Sequence, residues 1–316
     1  MRSIVIICMF ACAATASAQN FPSRPLRFIT GYLPGGVSDT IARVVGERLG
    51  ERLGQRVVID GRPGAGGVLS MELAVNANPD GHTLYLGQPV MTISPNFKRK
   101  PAFDPQKALA PVALIGTSST MLAVHPSLPV NSVKELIAYA KTQPGGLNFG
   151  SSGQGATNHL SGELLRVTAS IPLTHVPYRG AAANTLAAIQ GEIQISFQPL
   201  LAALPHIKAG RLKGIATTGA KRSQATPNIP TVGETLPGYD VSAWYGIVVS
   251  SQTPKPIVTR LTNEVEAVLK LPDVRTRLES QGVEIEYLPP VPFAELIRKD
   301  TQRMAKLVQD ASLVFE

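Results

Sequence analysis

Short apolar runs alternate with amphipathic stretches along almost the whole chain, and this alternation constrains the fold more than any other feature. Leu26 to Thr30 has the composition of a strand. Ile41 to Leu53 then places apolar residues at helical spacing, with charged residues on the opposite face. The same succession continues towards the C-terminus, interrupted by turns rich in Pro and Gly. Strands that alternate with helices predict an α/β fold.

The pattern predicts further elements after this first pair. Further strands are expected at 57–60, 83–87, 121–124, 147–150, 173–176, 193–197, 214–218, 244–250 and 283–288. Further helices are expected at 68–77, 157–167, 184–189, 201–208, 257–270 and 293–311. Another helix should begin after Ser132, because Ser132 and Glu135 have the spacing of a capping box. The residues before Met121 are expected to form a Pro-rich connection, and residues 221–238 a loop.

The first 18 residues have the features of a signal peptide. Arg2 precedes the apolar run Ile4 to Cys12, and Ala16-Ser17-Ala18 offers the small-x-small pattern of a cleavage site. We therefore predict cleavage after Ala18 and a mature protein in the periplasm. Lipid attachment at Cys12 is a less favoured alternative, because little apolar sequence precedes that cysteine. Both cysteines lie in the leader, so the mature chain has no disulfide, thiolate metal site or cysteine nucleophile.

The charge balance favours acidic solutes over nucleic acid. The full chain carries 30 Lys and Arg against 22 Asp and Glu, a formal net charge of +8. Loss of Arg2 with the leader leaves +7. A basic surface raises the local concentration of anions. We expect no nucleic-acid partner, because the basic residues are scattered and aromatic residues are few.

Two Gly-rich segments each join the end of a predicted strand to the start of a predicted helix. The first runs from Thr30 to Asp39, and the second from Phe149 to Thr157. Glycine allows the backbone to approach a ligand closely, and a helix start presents free N–H groups with a partial positive charge. Two such segments facing each other could hold a carboxylate without a charged side chain. Each could equally be an ordinary strand–helix turn.

Motifs for nucleotide binding and catalysis are incomplete. The Gly runs lack the third glycine of a dinucleotide fingerprint, and no P-loop sequence is present. Gly150-Ser151-Ser152-Gly153 approaches a nucleophile elbow, but Gln154 stands where the second glycine is needed. We therefore predict that the protein is not an enzyme and has no cofactor. We also predict no metal site, since the five histidines show no ligand spacing. A secreted serine hydrolase using Ser151 or Ser152 is the alternative hypothesis, with His159 and His175 nearby in the sequence.

Seven motifs occur in order along almost the whole mature chain. They are Tyr32-Leu33-Pro34-Gly35-Gly36 with Asp39, Arg62 to Gly67, Pro79-Asp80-Gly81, Gly150 to Gly155 with His159-Leu160 and Glu163, His175 to Gly180, Ile229 to Val232 with Glu234, and Trp244-Tyr245-Gly246. In their order and spacing, these motifs resemble the substrate-binding proteins of tripartite tricarboxylate transporters, the Bug or TctC family.

The resemblance implies a type II periplasmic binding protein fold, with two α/β lobes joined by crossing strands and a ligand cleft between them. We expect residues 19–120 and 239–316 to form one lobe and residues 121–238 the other. Carried over residue by residue, the family's carboxylate clamp implies ligand contacts in both Gly-rich segments. These contacts are Leu33, Pro34, Gly35, Gly36 and Asp39 from the first, and Ser151, Ser152, Gly155, Ala156 and Thr157 from the second.

The rest of the solute is expected to meet Gln88, Tyr178 and Gln198. Asp39 could instead cap its helix, since Asp suits helix starts. Ala183, Gln190 and Gln198 depart from the residues usual in relatives, and these departures leave the identity of the solute open. The implied function is capture of a mono-, di- or tricarboxylate by a monomeric protein. The captured solute would pass to membrane transporter subunits or to a sensing partner.

Overall fold

The computed structural model describes residues 21–32, 36–64, 67–98 and 100–314. The strands are β1 Leu26–Thr30, β2 Val57–Gly61, β3 Thr83–Gly87, β4 Leu109–Ser118, β5 Thr120–Val124, β6 Leu147–Ser151, β7 Leu173–Pro177, β8 Ile195–Pro199, β9 Lys213–Thr217, β10 Ala243–Ser250 and β11 Glu284–Leu288. The helices are α1 Val37–Leu53, α2 Val68–Val75, α3 Val90–Ile93, α4 Pro105–Ala108, α5 Val133–Thr142, α6 Thr157–Ala169, α7 Ala181–Gln190, α8 Leu200–Lys208, α9 Lys255–Leu269, α10 Pro272–Glu279 and α11 Pro290–Asp310. These elements form two α/β lobes, each built around one sheet.

The sheet of the first lobe has the strand order β11-β4-β10-β3-β1-β2. β1 is parallel to both β2 and β3, with Leu26 opposite Val57 and Arg27 opposite Thr83. β10 is antiparallel to β3 and β4. The parallel strands β1 and β3 lie side by side, so the segments that follow them emerge at the same edge of the sheet.

The sheet of the second lobe has the order β7-β6-β8-β5-β9. β6 is parallel to its neighbours β7 and β8, whereas β5 is antiparallel to β8 and β9. The carboxyl ends of β6, β7 and β8 therefore meet at one edge. α6, α7 and α8 follow these three strands, so three helix N-termini lie at that edge.

Both sheets are covered by apolar layers on their two faces, because successive residues of a strand point to opposite sides. In β1, Phe28 and Ile29 are fully buried in separate core clusters. In β5, the neighbouring residues Met121 and Leu122 are likewise buried in the two different core clusters of the second lobe. Each lobe is thus a three-layer arrangement in which the central sheet is buried.

The chain passes from the first sheet to the second between β4 and β5, and it returns between β9 and β10. Thr218 links the two crossings, because its hydroxyl accepts a bond from Thr120 N at 3.0 Å and its carbonyl accepts one from Val241 N at 2.9 Å. The C-terminal helix α11 also spans the lobes. Its Phe293 is buried in a first-lobe cluster, whereas Leu307 is buried in a second-lobe cluster.

The structure corrects two sequence predictions. Within the predicted Pro-rich connection, residues Leu109–Ser118 form β4, a ten-residue strand in the first sheet. A helix that the apolar pattern did not predict, Pro272–Glu279, lies between α9 and β11. The expected capping box is present in part: Ser132 Oγ accepts from Glu135 N at 3.2 Å, but the Glu135 carboxylate accepts from Asn131 N. Over the described ranges, no helix combines the length and apolarity needed to cross a membrane.

Candidate ligand-binding site

A cavity of about 550 Å³ is lined by residues from both lobes. Its wall includes Tyr32 and Gln88 from the first lobe, Ser152 and Thr157 from the second, and Ser119 from the crossing between them. Among the described residues that line it, none is Asp, Glu, Lys, Arg or His. A charged solute in this cavity would therefore be compensated by dipoles and hydrogen-bond donors rather than by an opposite charge.

Four helices of nine or more residues begin at the cavity wall, and so does the four-residue helix α3, whose Val90 is also in the lining. α1 and α6 contribute Val37 and Thr157 to the lining, and α7 and α8 contribute Ala181 and Leu200. None of the four N-cap residues makes a side-chain hydrogen bond to its own helix. The first N–H groups of a helix lack partners within it, and they carry the positive end of the helix dipole. The wall therefore presents backbone donors from four directions.

The loop between β6 and α6 is shaped by two glycines and one asparagine. Gly153 and Gly155 have φ values of 133° and 74°, which residues with a Cβ rarely adopt. Asn158 Oδ1 accepts hydrogen bonds from both Ser152 N, at 3.2 Å, and Ser152 Oγ, at 3.1 Å. The loop is thereby held close to the start of α6, with Ser152, Gly153 and Gly155 in the cavity wall.

Gln88 presents an unsatisfied donor in the first lobe. Its side chain is 5% exposed and follows β3, beside the start of α1. The Oε1 atom accepts from Ser38 Oγ at 3.1 Å, whereas Nε2 has no hydrogen-bond partner among the described residues. An unpaired buried amide is costly. Gln88 is part of the cavity lining, but its Nε2 atom is buried within the wall, so a solute would reach this donor only after the side chain turns.

The wall near the crossing strands is hydroxyl-rich. Ser118 Oγ lies 3.3 Å from Tyr245 Oη, and Thr120 Oγ1 lies 3.0 Å from Thr218 Oγ1. Burial raises the pKa of the Tyr245 hydroxyl, which therefore stays protonated at neutral pH. Sequence reasoning did not nominate Ser118, Thr120 or Tyr245 as ligand contacts. The hydroxyl cluster in Thr117 to Thr120 was the only signal that could have marked the first two.

The structure brings five of the predicted contacts to the cavity wall: Gln88, Ser152, Gly155, Ala156 and Thr157. Leu33, Pro34 and Gly35 lie outside the described residues. Gly36 is the N-cap residue of α1, next to Val37 in the wall. Asp39, Ser151, Tyr178 and Gln198 are not part of the lining.

Asp39 lies in the first turn of α1 and is 8% exposed. Its Oδ2 atom accepts from Arg43 Nε at 2.9 Å, one turn further along the helix. A carboxylate in this position interacts favourably with the helix dipole. These contacts explain Asp39 as a residue that stabilises the start of α1.

Tyr178 and Gln198 are engaged within the second lobe. Tyr178 Oη lies 3.5 Å from Glu192 Oε2, and the side chain is half-buried. Gln198 is 1% exposed; its Oε1 accepts from Thr185 Oγ1 at 2.6 Å, and its Nε2 donates to Ser196 Oγ. The next residues after Gln198, Pro199 and Leu200, line the cavity instead.

Ser151 and His175 approach each other in a way that bears on the hydrolase hypothesis. Ser151 Oγ lies 2.6 Å from His175 Nε2, the spacing of a nucleophile and its base. However, Ser151 is fully buried and does not line the cavity, and its hydroxyl also bonds the backbone of Gly153. A substrate in the cavity would not reach it. Within the described ranges, no cluster of three or more His, Cys, Asp or Glu could hold a metal ion.

Two α/β lobes around a neutral cavity lined by helix N-termini define a solute-binding protein of the two-lobed periplasmic class. Comparison with known proteins gives the family. The chain belongs to the tripartite tricarboxylate transporter receptor family, TctC, whose model matches residues 41–313. A UPF0065 protein of Bordetella pertussis is 33% identical over 317 residues, covering 99% of this chain and 97% of that protein.

Solved structures agree with this family. An R. palustris protein determined with adipate is 31% identical, with a TM-score of 0.81 over 94% of this chain and 100% of that one. MatC from Rhodopseudomonas palustris with bound malate is 30% identical, with a TM-score of 0.75 over 91% of this chain and 100% of that one. The predicted family and the predicted type II periplasmic binding fold are both confirmed.

Proposed function

We propose that this protein captures a small carboxylate in the cavity between its lobes and delivers it to a membrane transporter or a sensing partner. The observation that carries this proposal is a wall that has four uncapped helix N-termini and no ionised side chain among its described residues. Its R. palustris relatives, solved with adipate and with malate, support the same class of solute.

The field in the cavity suits one or two carboxylates. Each helix N-terminus is equivalent to about +0.5 elementary charge, so four contribute roughly +2. Backbone N–H groups that bond a carboxylate form charge-assisted hydrogen bonds, each worth about 1.5–3 kcal/mol. A third carboxylate would exceed this compensation and, in a closed cavity, would have to remain at its solvent-facing edge.

In this proposal, both lobes contribute contacts to the bound solute. Ser152, Gly155, Ala156 and Thr157 are proposed to contact the solute from the second lobe. The donors there are the N–H groups in the first turn of α6, because the Ser152 and Gly155 amides already donate to Asn158 and His159. Leu33, Pro34, Gly35 and Gly36 are proposed to supply the facing contacts from the first lobe. Gln88 is proposed to turn its unpaired Nε2 group towards the bound solute. We further propose that the mature chain begins at Gln19, is located in the periplasm, acts as a monomer and catalyses no reaction.

A thermal-shift panel tests the proposal. The purified protein is unfolded in guanidinium, dialysed and refolded to remove any co-purified solute. Acetate, malate, adipate, citrate and aromatic monocarboxylates are then added singly at millimolar concentration. A ligand at 100 times its Kd stabilises the folded state by about 2.7 kcal/mol, so at least one carboxylate should raise Tm by several degrees. Absence of a shift with every member would overturn the proposal.

Two controls make the test specific. The diamide of the best carboxylate has the same shape without charge and should give little shift, because the cavity is built for an anion. Gln88→Glu replaces the free N–H donor with a carboxylate and should weaken binding by more than tenfold through like-charge repulsion. Gln302→Glu adds the same charge at an exposed position of α11 and should leave binding unchanged. Equal shifts for diamide and carboxylate would contradict anion capture.

A further inference from the structure

Two histidines lie directly behind the second-lobe loop, outside the cavity lining. His175 Nε2 lies 2.6 Å from Ser151 Oγ, at the beginning of the loop. His159 Nδ1 accepts a hydrogen bond from Gly155 N at 3.0 Å, near its end. The two rings are stacked, with centroids 3.9 Å apart and planes inclined by 24°. The stacked pair therefore connects the two ends of the loop from behind.

We propose that the stacked His159–His175 pair is a brace that positions the Ser151–Gly155 loop for binding; its role in carboxylate capture rests on the function proposed above. In this view neither histidine touches the solute. Both are positioning residues that act through Ser151 and Gly155.

The loop needs such a brace because its own backbone is permissive. Gly153 and Gly155 both adopt positive φ, and glycine gains the most conformational freedom when a segment loosens. Ordering a loop at the moment of binding reduces affinity, whereas a loop already held in its bound conformation avoids that cost. Hydrogen bonds at both ends of the glycine-containing segment restrict it before a solute arrives.

The brace is itself anchored in the core of the second lobe. The Phe149 ring lies 5.0 Å from the His175 ring and 6.3 Å from the His159 ring, with interplanar angles of 28° and 13°. Phe149 is fully buried in β6. The three rings thus pack against one another as one cluster, which fixes both histidines relative to β6.

The hydrogen bonds define which tautomer of His159 is present. Gly155 N donates to Nδ1, so Nδ1 carries no hydrogen and the neutral ring is protonated at Nε2. The Nε2 atom lies 3.8 Å from Glu163 Oε1. Burial, with His175 alongside, lowers the pKa of His159, in agreement with a neutral ring. The Gly155 bond therefore persists throughout the neutral pH range.

The chain allows a matched set of variants. In His159→Asn the side-chain Oδ1 occupies the place of Nδ1 and can still accept from Gly155 N, whereas His159→Leu removes the acceptor. His82→Leu is the control for structural loss: His82 is 6% exposed and accepts from Ser23 N at 3.1 Å in the other lobe. Global stability of each variant is measured by urea unfolding, and amide exchange of residues 151–157 by mass spectrometry without added solute.

If the brace positions the loop, His159→Leu should accelerate exchange of the 151–157 segment by at least tenfold. His159→Asn should stay within threefold of wild type, and His82→Leu should leave this segment unchanged. The proposed brace would be refuted if amide exchange of the loop were unchanged in His159→Leu, or if it increased only as much as global unfolding does. This readout requires no ligand, so it stands even if the carboxylate panel fails.

The binding arm uses the panel carboxylate with the largest shift, titrated by calorimetry. Its Kd should rise about tenfold in His159→Leu and less than threefold in His159→Asn. Equal affinity of wild type and His159→Leu, despite faster exchange, would refute a positioning role in binding.

Discussion

His159 and His175 are uncharged because their surroundings penalise the protonated rings. Burial and the neighbouring His175 lower the pKa of His159 to about 3, and burial lowers the pKa of His175 to about 4. Glu163 faces His159, but its carboxylate is paired with Arg166 at 2.7 Å. The Glu163 carboxylate is thus already engaged with Arg166, and both histidines remain neutral over most of the pH range.

This neutrality predicts a pH dependence of stability. An unfolded histidine binds a proton below about pH 6.5, whereas these folded rings do so only near pH 3–4. The unfolded state therefore takes up more protons as the pH falls, and the free energy of unfolding decreases from pH 6.5 towards pH 4. Between pH 7 and 5, wild type should lose about 3–4 kcal/mol more than the His159→Asn/His175→Gln double variant. Urea unfolding of both proteins across this pH range tests the prediction. An equal change of their unfolding free energies with pH would contradict it.

At the scale of elements, α6 can approach β6 because Gly162 faces the Phe149 ring. A Cβ at Gly162 would overlap the Phe149 ring. Gly162→Ala should gain about 1 kcal/mol of helix propensity but lose more through overpacking, which costs about 1–3 kcal/mol in a filled core. We expect net destabilisation of about 1–2 kcal/mol in urea unfolding, together with faster exchange of the loop before α6.

Gly145→Ala is the control for this change. Gly145 lies in an exposed turn, and a Cβ there would meet no atom within 4 Å. Its stability should stay within about 0.5 kcal/mol of wild type. If Gly162→Ala were as stable as wild type, α6 and Phe149 would be able to adjust to the added methyl group. The claim that Gly162 sets the spacing between them would then be wrong.

Elements with a strong local signal were predictable. β1 and β3 have the bounds that the sequence predicts, because turns flank each apolar run. β4 was not predicted, because Pro111 precedes a run from Val112 to Ile115 that is buried on both faces and lacks alternation. The helix Pro272–Glu279 has too few apolar residues to mark a face, with only Val274 and Leu278 buried.

The same distinction applies to the site. The second Gly-rich loop was predictable because its motif joins a strand end to a helix start. Gln88 was nominated from the family resemblance together with Tyr178 and Gln198, which do not line the cavity. Pro199, Leu200 and Tyr245 line the cavity only because the lobes bring them there from distant parts of the chain. Ser151 lies in the predicted motif, yet its hydroxyl turns away from the cavity to His175. Side-chain direction within a loop is set by such tertiary contacts, which the spacing of residues along the sequence does not reveal.

At the scale of the whole molecule, the lobes are joined by more than the crossing strands. Ser119 forms one crossing and lines the cavity, and the return crossing leads into β10, whose first residue Ala243 is also in the lining. α11 adds a second connection, with Ile297 buried in the first lobe and Met304 and Leu307 buried in the second. Closure around a solute would be hinged at the crossings while α11 limits how far the lobes can separate.

Leu307 tests whether α11 couples the lobes. Its side chain is 3% exposed in the core cluster of the second lobe, so Leu307→Ala should cost about 2–4 kcal/mol. Because the same helix packs in the first lobe, both lobes should unfold in one calorimetric transition, at a Tm lower by about 4–10 °C. Lys306→Ala, at the neighbouring exposed position, should shift Tm by less than 2 °C. If Leu307→Ala instead produced two transitions, with the higher one at the wild-type Tm, α11 would serve only the second lobe and the lobes would be joined by their crossings alone.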